Sequence, residues 1–201
     1  MAQNGNFAKN LDEIRRRARQ HLEQGAVTPN YGGDLDLAIK LLNEGVATEV
    51  VCILRYKYHA AMATGLASES VKNEFAEHAR EEGEHLDLLV ERITQLGGKP
   101  NLNPEGITMR ASAQYVEGES MIDMIRENLV AERIAVETYR DLIRHFGDRD
   151  PTTRVILERI LAQEEEHAND MHDLLVAHGP SERTEKGATN PQPVIDARSR
   201  S

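Results

Sequence analysis

Four long segments of the sequence carry apolar residues at alternating steps of three and four positions, and this spacing constrains the fold more than any other feature. It places the apolar side chains on one face of an α-helix, which must then pack against other helices. Capping aspartates (Asp34, Asp150), glycines and prolines bound the segments. The helices are predicted over residues 34–64, 68–96, 119–146 and 150–178. We therefore predict an all-α fold.

Each apolar stripe is interrupted near its middle by residues that can ionise. The first and third helices each contribute one glutamate, and the second and fourth each contribute a Glu-x-x-His pair. A spacing of three residues puts the Glu and the His on one helix face, about one turn apart. The six residues are Glu49, Glu82, His85, Glu132, Glu164 and His167.

The two halves of the chain repeat this arrangement. Glu49 lies 33 residues before Glu82, and Glu132 lies 32 residues before Glu164. Glu49 and Glu132, called the outer glutamates below, are each followed seven residues later by a tyrosine, at Tyr56 and Tyr139. The repeat indicates two related helical hairpins, each of which supplies a Glu and a Glu-x-x-His.

The lengths of the connections predict how the helices are arranged. Short breaks make the first and second helices antiparallel, and likewise the third and fourth. A helix of this length spans about 42 Å, and the 98–118 connection reaches about 69 Å when extended. It can therefore run the length of the bundle and leave helices two and three parallel. We predict a four-helix bundle with one long crossover connection, in which the ionisable residues share one layer.

Four carboxylates buried in an apolar core would repel one another and lose their hydration. Protonation or a pair of divalent cations would remove this cost. The positive charge of two such cations equals the negative charge of four carboxylates, and the two histidines supply one neutral nitrogen ligand for each cation. Mixed carboxylate and imidazole ligands suit iron or manganese better than structural zinc.

These residues resemble the ferritin-like di-iron proteins, and within them bacterioferritin and the bacterioferritin-like branch of Dps-like proteins. The resemblance covers roughly residues 34–178 and rests on four stretches: 48–56, 84–93, 129–132 and 164–167. It implies that all six residues are ferroxidase ligands for two iron ions per chain. Glu82 and Glu164 would bridge the irons, while Glu49 with His85 and Glu132 with His167 would each hold one.

The resemblance also implies a function. Fe²⁺ would be oxidised to Fe³⁺ by O₂ or H₂O₂ at a site within one subunit, for iron storage, detoxification and protection against oxidative stress. A hollow homo-oligomeric shell would hold the product. Twelve subunits are favoured over twenty-four, because no amphipathic fifth helix follows Gly179. Gly83 stands where bacterioferritin has its haem-ligating Met, so haem is doubtful there, and Met62 and Met109 remain other candidate ligands.

The rest of the chain is interpreted from its composition. Residues 1–33 should form a tail and a short amphipathic helix over 7–24, docked on the bundle or on a neighbouring subunit. Residues 34–179 form the bundle, and 180–201 a disordered polar tail. No stretch is apolar enough to span a membrane, and the single cysteine, Cys52, suits a cytoplasmic protein. The net charge of −10 makes DNA an unlikely partner despite the arginines at 15–17 and 19.

Two other functions stay open. One is a di-iron oxidase or peroxidase of the rubrerythrin kind without mineral storage, although the chain lacks a Cys-x-x-Cys module. The other is a non-enzymatic DNA-coating or structural protein of the Dps type.

His78, one turn before Glu82, is interpreted as a buried neighbour of the ligands, and Cys52 as a small core residue. Tyr56 and Tyr139 are expected to bond ligand carboxylates.

Overall fold

Every regular element in the described chain, residues 10–64 and 68–179 of this computed structural model, is helical. A 3₁₀ turn spans Leu22–Gln24. The helices are α1 (Leu11–Arg17), α2 (Leu35–Met62), α3 (Ser68–Gln95), α4 (Ile107–Arg110), α5 (Met121–Phe146) and α6 (Pro151–His178). The four long helices end within two residues of the predicted positions, and the all-α fold class is confirmed.

Side chains at the helix starts explain why the long helices begin where they do. Asp34 accepts a hydrogen bond from the backbone N–H of Leu37, and Asp150 accepts one from that of Thr153, at 3.1 and 3.0 Å. Both predicted N-caps are therefore confirmed. Ser120, which was not singled out, caps α5 in the same way. Each cap satisfies a backbone donor that has no partner within its own helix.

Contacts near the helix ends fix the topology. Arg92, near the end of α3, donates to Asp150 at the start of α6 at 2.9 Å. Arg55, near the end of α2, donates to Asn128 near the start of α5 at 2.8 Å. Helices α3 and α6 are therefore antiparallel, as are α2 and α5. Tyr56, late in α2, lies 3.1 Å from His78 in the first half of α3, so these two helices are antiparallel as well. α3 therefore runs parallel to α5, as predicted for a bundle with one long crossover.

The crossover lies along α2 from its beginning to its end. Asn43 bonds the backbone of Lys99 and Asn101, and further along the helix Thr48, Arg55 and His59 bond the backbone of residues 112, 114 and 116–117. The sequence predicted no regular structure in this connection, whereas α4 lies within it and packs against α2. The crossover gives α2 a second buried face, which includes Cys52, Arg55 and His59.

The apolar core divides into two main parts. One cluster surrounds the first half of α2 and includes Leu42, Val46 and Leu89. The other surrounds its second half and includes Phe75 and Ile125. The six predicted ligands occupy a buried polar layer between these clusters, which separate it from solvent along the bundle axis.

The N-terminal helix differs from its prediction. Within the described residues the helix spans 11–17, so it ends before the predicted residue 24. Phe7 lies outside the described residues. Leu11, Ile14 and Leu22 are 50%, 44% and 74% exposed, so the described part of this stripe does not pack on the bundle of the same chain. The helix stops because the chain turns before His21, whose φ of 53° is left-handed. Docking on a neighbouring subunit stays a prediction.

The C-terminal segment assigned to a disordered tail, residues 180–201, lies outside the described residues. Among the described helices, none combines the length and apolar character needed to cross a bilayer.

Replacing Asp150 with alanine should lower the free energy of unfolding by about 3–5 kcal/mol, because the change leaves the buried Arg92 without its carboxylate and removes a helix cap. Replacing Asp34, an exposed cap with no ion pair among the described contacts, should cost about 1 kcal/mol. Denaturant unfolding of both variants at one subunit concentration checks this prediction. Equal losses would show that the Arg92 contact contributes nothing beyond the cap.

Candidate metal centre

The four long helices bring the six predicted ligands into the buried layer. α2 contributes Glu49, α3 Glu82 and His85, α5 Glu132, and α6 Glu164 and His167. All six are at most 1% exposed. Two groups of four potential ligand atoms form, and the atoms of each group lie within 4.8 Å of one another. One group contains Glu49 and His85, the other contains Glu132 and His167, and both contain Glu82 and Glu164.

The distances around the two imidazoles describe two half-sites. In the first, His85 Nδ1 lies 3.1 Å from Glu164 Oε1, 3.3 Å from Glu82 Oε2 and 3.8 Å from Glu49 Oε2. In the second, His167 Nδ1 lies 3.6 Å from Glu82 Oε1, 3.7 Å from Glu164 Oε2 and 3.9 Å from Glu132 Oε2. Glu82 and Glu164 thus offer one oxygen to each half-site.

Each of the two tyrosines bonds a glutamate that belongs to the other helical hairpin. Tyr56 of α2 donates its hydroxyl hydrogen bond to Glu132 Oε1 on α5, and Tyr139 of α5 donates to Glu49 Oε1 on α2. Bonding between these tyrosines and ligand carboxylates was expected from the sequence, but their partners were not assigned. Each hydroxyl holds one oxygen of an outer glutamate, and the second oxygen faces the centre.

Two side chains that the sequence interpretation missed orient the histidines. Gln163 Oε1 lies 3.0 Å from His85 Nε2, and Glu81 Oε2 lies 2.8 Å from His167 Nε2. Such partners fix the ring and its tautomer, so that the other nitrogen faces the centre. The repeat could have revealed them, because each immediately precedes the Glu of a Glu-x-x-His pair. They also make the half-sites unequal, since one partner is charged and the other neutral.

His78 lies beside the second half-site. Its ring stacks on that of His167 with a centroid separation of 4.0 Å, and its Nδ1 lies 3.1 Å from the Tyr56 hydroxyl. Burial and the neighbouring His167 lower the pKa of His78 to about 3, so the ring is neutral at ordinary pH. Cys52 is buried against Val51 and Ala113.

The carboxylates in the layer do not ionise freely. Burial and the nearby Glu82 raise the pKa of Glu49 well above its usual value, and burial together with Glu82 and Glu164 does the same for Glu132. Burial also opposes ionisation of Glu82. Close contacts with Glu49, His167 and His85 outweigh that effect and hold the pKa of Glu82 well below its usual value.

The histidines take up positive charge in response. Burial disfavours the imidazolium of His167, but the nearby carboxylates of Glu164 and Glu82 outweigh it and raise the pKa of His167 to about 11. For His85 as well, the nearby carboxylates of Glu164, Glu49 and Glu82 outweigh burial and raise the pKa of the imidazole. Without a bound cation, protons on these rings offset the charge of the carboxylates.

The donor set fits a pair of divalent cations. Eight buried side-chain atoms in the described chain lack a hydrogen-bond partner, and six of them belong to the predicted ligands. They are Glu49 Oε2, Glu82 Oε1, Glu132 Oε2, both carboxylate oxygens of Glu164, and His167 Nδ1. Buried polar atoms without partners are costly unless a cation or proton meets them. Gly83, in contrast, offers no side chain to a haem iron.

Comparison with known proteins identifies the family. The chain matches the ferritin family, described as a ferritin-like domain, over residues 39–177. It is 32% identical over 168 residues to a DNA protection during starvation protein of Pyrococcus furiosus, which covers 82% of this chain and 90% of the relative. A bacterioferritin of Mycobacterium leprae is 26% identical, with coverages of 73% and 88%.

Solved structures agree with these relatives. The bacterioferritin-related protein of Bacteroides fragilis, described as a dodecameric thioferritin, superposes with a TM-score of 0.70 and 31% identity, covering 73% of this chain and 88% of that one. Dps from Thermosynechococcus elongatus shares the fold, with a TM-score of 0.67 and 20% identity. The chain therefore belongs to the ferritin-like family, and the resemblance stated from its sequence is confirmed.

Binding of two divalent cations at pH 7 should release at least about two protons per chain, because His85 and His167 have raised pKa values and must deprotonate to act as ligands. Affinity should therefore fall as the pH is lowered. A pH-indicator dye during titration with Co²⁺ measures the release, with a Glu82→Ala, His85→Ala variant as the control for surface binding. Equal release from both proteins would contradict the prediction.

Proposed function

We propose that the protein is a ferroxidase that takes up Fe²⁺ as its substrate and oxidises it to Fe³⁺ at the buried layer. The observation that carries the proposal is the convergence of four glutamates and two histidines in one water-poor layer, with oxygen and nitrogen atoms that have no other partner. Membership in the ferritin-like family supports the same chemistry.

Each residue has a role in this proposal. Glu49 with His85, and Glu132 with His167, would each hold one iron, while Glu82 and Glu164 would bind both. Oxygen ligands predominate, which favours the harder Fe³⁺ as it forms. Tyr56 and Tyr139 would keep the outer glutamates in place, and the apolar clusters above and below would limit access of water.

The reaction balances with either oxidant. Two Fe²⁺ give up one electron each, and H₂O₂ with two protons accepts both electrons to form two molecules of water. With O₂ as the oxidant, two electrons and two protons give H₂O₂. Holding two irons close together lets a two-electron oxidant be reduced in one encounter.

Storage requires a shell, which is part of the proposal. The Bacteroides fragilis relative, 31% identical, is described as dodecameric. We infer that twelve copies of this chain enclose a cavity in which Fe³⁺ collects as mineral, in a cytoplasmic setting. Removing Fe²⁺ and the oxidant together would limit oxidative damage.

The DNA-coating alternative receives less support from the charges, although the Pyrococcus furiosus relative is named for DNA protection. The net charge of −10 opposes binding to a polyanion. Two of the N-terminal arginines, Arg15 and Arg16, pair with Asp12 and Glu13 of the same helix.

Replacing Glu82 and His85 with alanine should reduce the rate of Fe²⁺ oxidation to that of free solution. The loss should exceed the roughly 10- to 100-fold effect typical of removing an outer partner of a metal ligand. Stopped-flow absorbance of Fe³⁺ formation measures the rate. The matched control replaces the exposed Glu84 and Asp87 of the same helix and should oxidise Fe²⁺ normally. A double variant as active as the wild type would refute the proposed centre.

Aerobic addition of Fe²⁺ far beyond two per chain should leave ferric iron soluble and co-eluting with a particle of about 270 kDa, twelve times the chain mass of 22.5 kDa. Native mass spectrometry and size exclusion with iron analysis measure both quantities. Uptake that stops at two irons per chain would instead favour the rubrerythrin-like oxidase. A monomer or dimer would exclude storage, because it cannot enclose a core.

A further inference from the structure

A second cluster of potential ligands lies outside the six-residue layer. It consists of Glu74 and His78 of α3 and Asp170 of α6. His78 Nε2 lies 3.4 Å from Glu74 Oε1 and 3.5 Å from Asp170 Oδ2. The imidazole is only 2% exposed, whereas the carboxylates are 38% and 42% exposed. The cluster therefore has a buried nitrogen on its inner side and solvent-accessible oxygens on its outer side.

The two nitrogens of His78 face different surroundings. Nδ1 lies 3.1 Å from the Tyr56 hydroxyl, on the inner side of the ring. Nε2 faces the carboxylate oxygens of Glu74 and Asp170. When Nδ1 carries the ring proton, Nε2 has a free lone pair that can bind a metal ion.

With the ring in that form, the nitrogen and the two carboxylate oxygens are three acceptors, which repel one another unless a proton or a metal cation lies between them. The crowding is visible in the carboxylates: burial and Asp170 raise the pKa of Glu74, and burial and Glu166 raise the pKa of Asp170. One imidazole and two carboxylates, with one side open to water, make a donor set for a divalent ion of the first transition row.

We propose that Glu74, His78 and Asp170 form a third metal site, which binds a divalent first-row transition-metal ion beside the predicted di-iron centre. The site belongs to one half of the repeat only. The residue four positions before Glu164 is Ile160, a buried apolar side chain, whereas the residue four positions before Glu82 is His78. Because His78 stacks on His167, an ion at the third site would adjoin only the second half-site.

The test counts ions bound to the full-length protein. Equilibrium dialysis against Co²⁺ followed by metal analysis should find one ion fewer per chain in a Glu74→Gln, Asp170→Asn variant than in the wild type. The matched control, Glu77→Gln with Asp173→Asn, removes the same charge from exposed positions of the same two helices and should bind as the wild type does. Both pairs are accessible enough for the fold to tolerate the change.

Equal binding by the wild type and the Glu74→Gln, Asp170→Asn variant would overturn the proposal and leave the cluster as a simple ion-pair group. Equal losses in both double variants would also overturn it, because they would report general surface charge. The count does not depend on iron oxidation. Introducing Glu74→Gln and Asp170→Asn into the Glu82→Ala, His85→Ala background should again remove one ion, so failure of the ferroxidase centre is distinguishable from failure of the third site.

Discussion

The structure depends on keeping four glutamates together where water cannot reach them. Their mutual repulsion and lost hydration would oppose folding if nothing compensated for them. The surrounding groups reduce this cost: the hydroxyls of Tyr56 and Tyr139 bond the outer carboxylates, and the raised pKa values of His85 and His167 keep positive charge among them. The compensation is partial, because several oxygens still lack a partner. This remaining deficit is what gives the layer its proposed affinity for cations.

The duplicated hairpins give the layer approximate symmetry, and the departures from symmetry carry the most chemical information. Glu81 bonds one ligand histidine, whereas the corresponding bond to the other comes from the neutral Gln163. A carboxylate partner makes an imidazole a stronger donor to a metal than an amide does. His78 stands in one half and the apolar Ile160 in the other. The two half-sites should therefore differ in affinity for the proposed cations although their predicted ligands match.

Much of this arrangement could be predicted from the sequence, because helix periodicity and the repeat both constrain it. They gave the four long helices nearly to the residue and placed the six ionisable residues in one layer. They did not reveal the Glu81 and Gln163 contacts or the crossed tyrosine partners, which depend on how the hairpins face each other. The second buried face of α2, with Arg55 and His59, was missed because the crossover that covers it has no periodic pattern. The N-terminal helix was predicted too long, since its apolar spacing continues past the turn before His21.

The crossed tyrosines have a consequence for how the site assembles. Each hairpin brings an outer glutamate whose hydroxyl partner belongs to the other hairpin, and each half-site draws ligands from both. Neither hairpin alone can therefore supply a complete set of the predicted ligands. If the layer binds iron as proposed, a chain that has folded only one hairpin would hold it poorly. Redox-active metal would then bind only to molecules whose two halves have already joined, and one interface would govern both the quality of folding and the handling of iron.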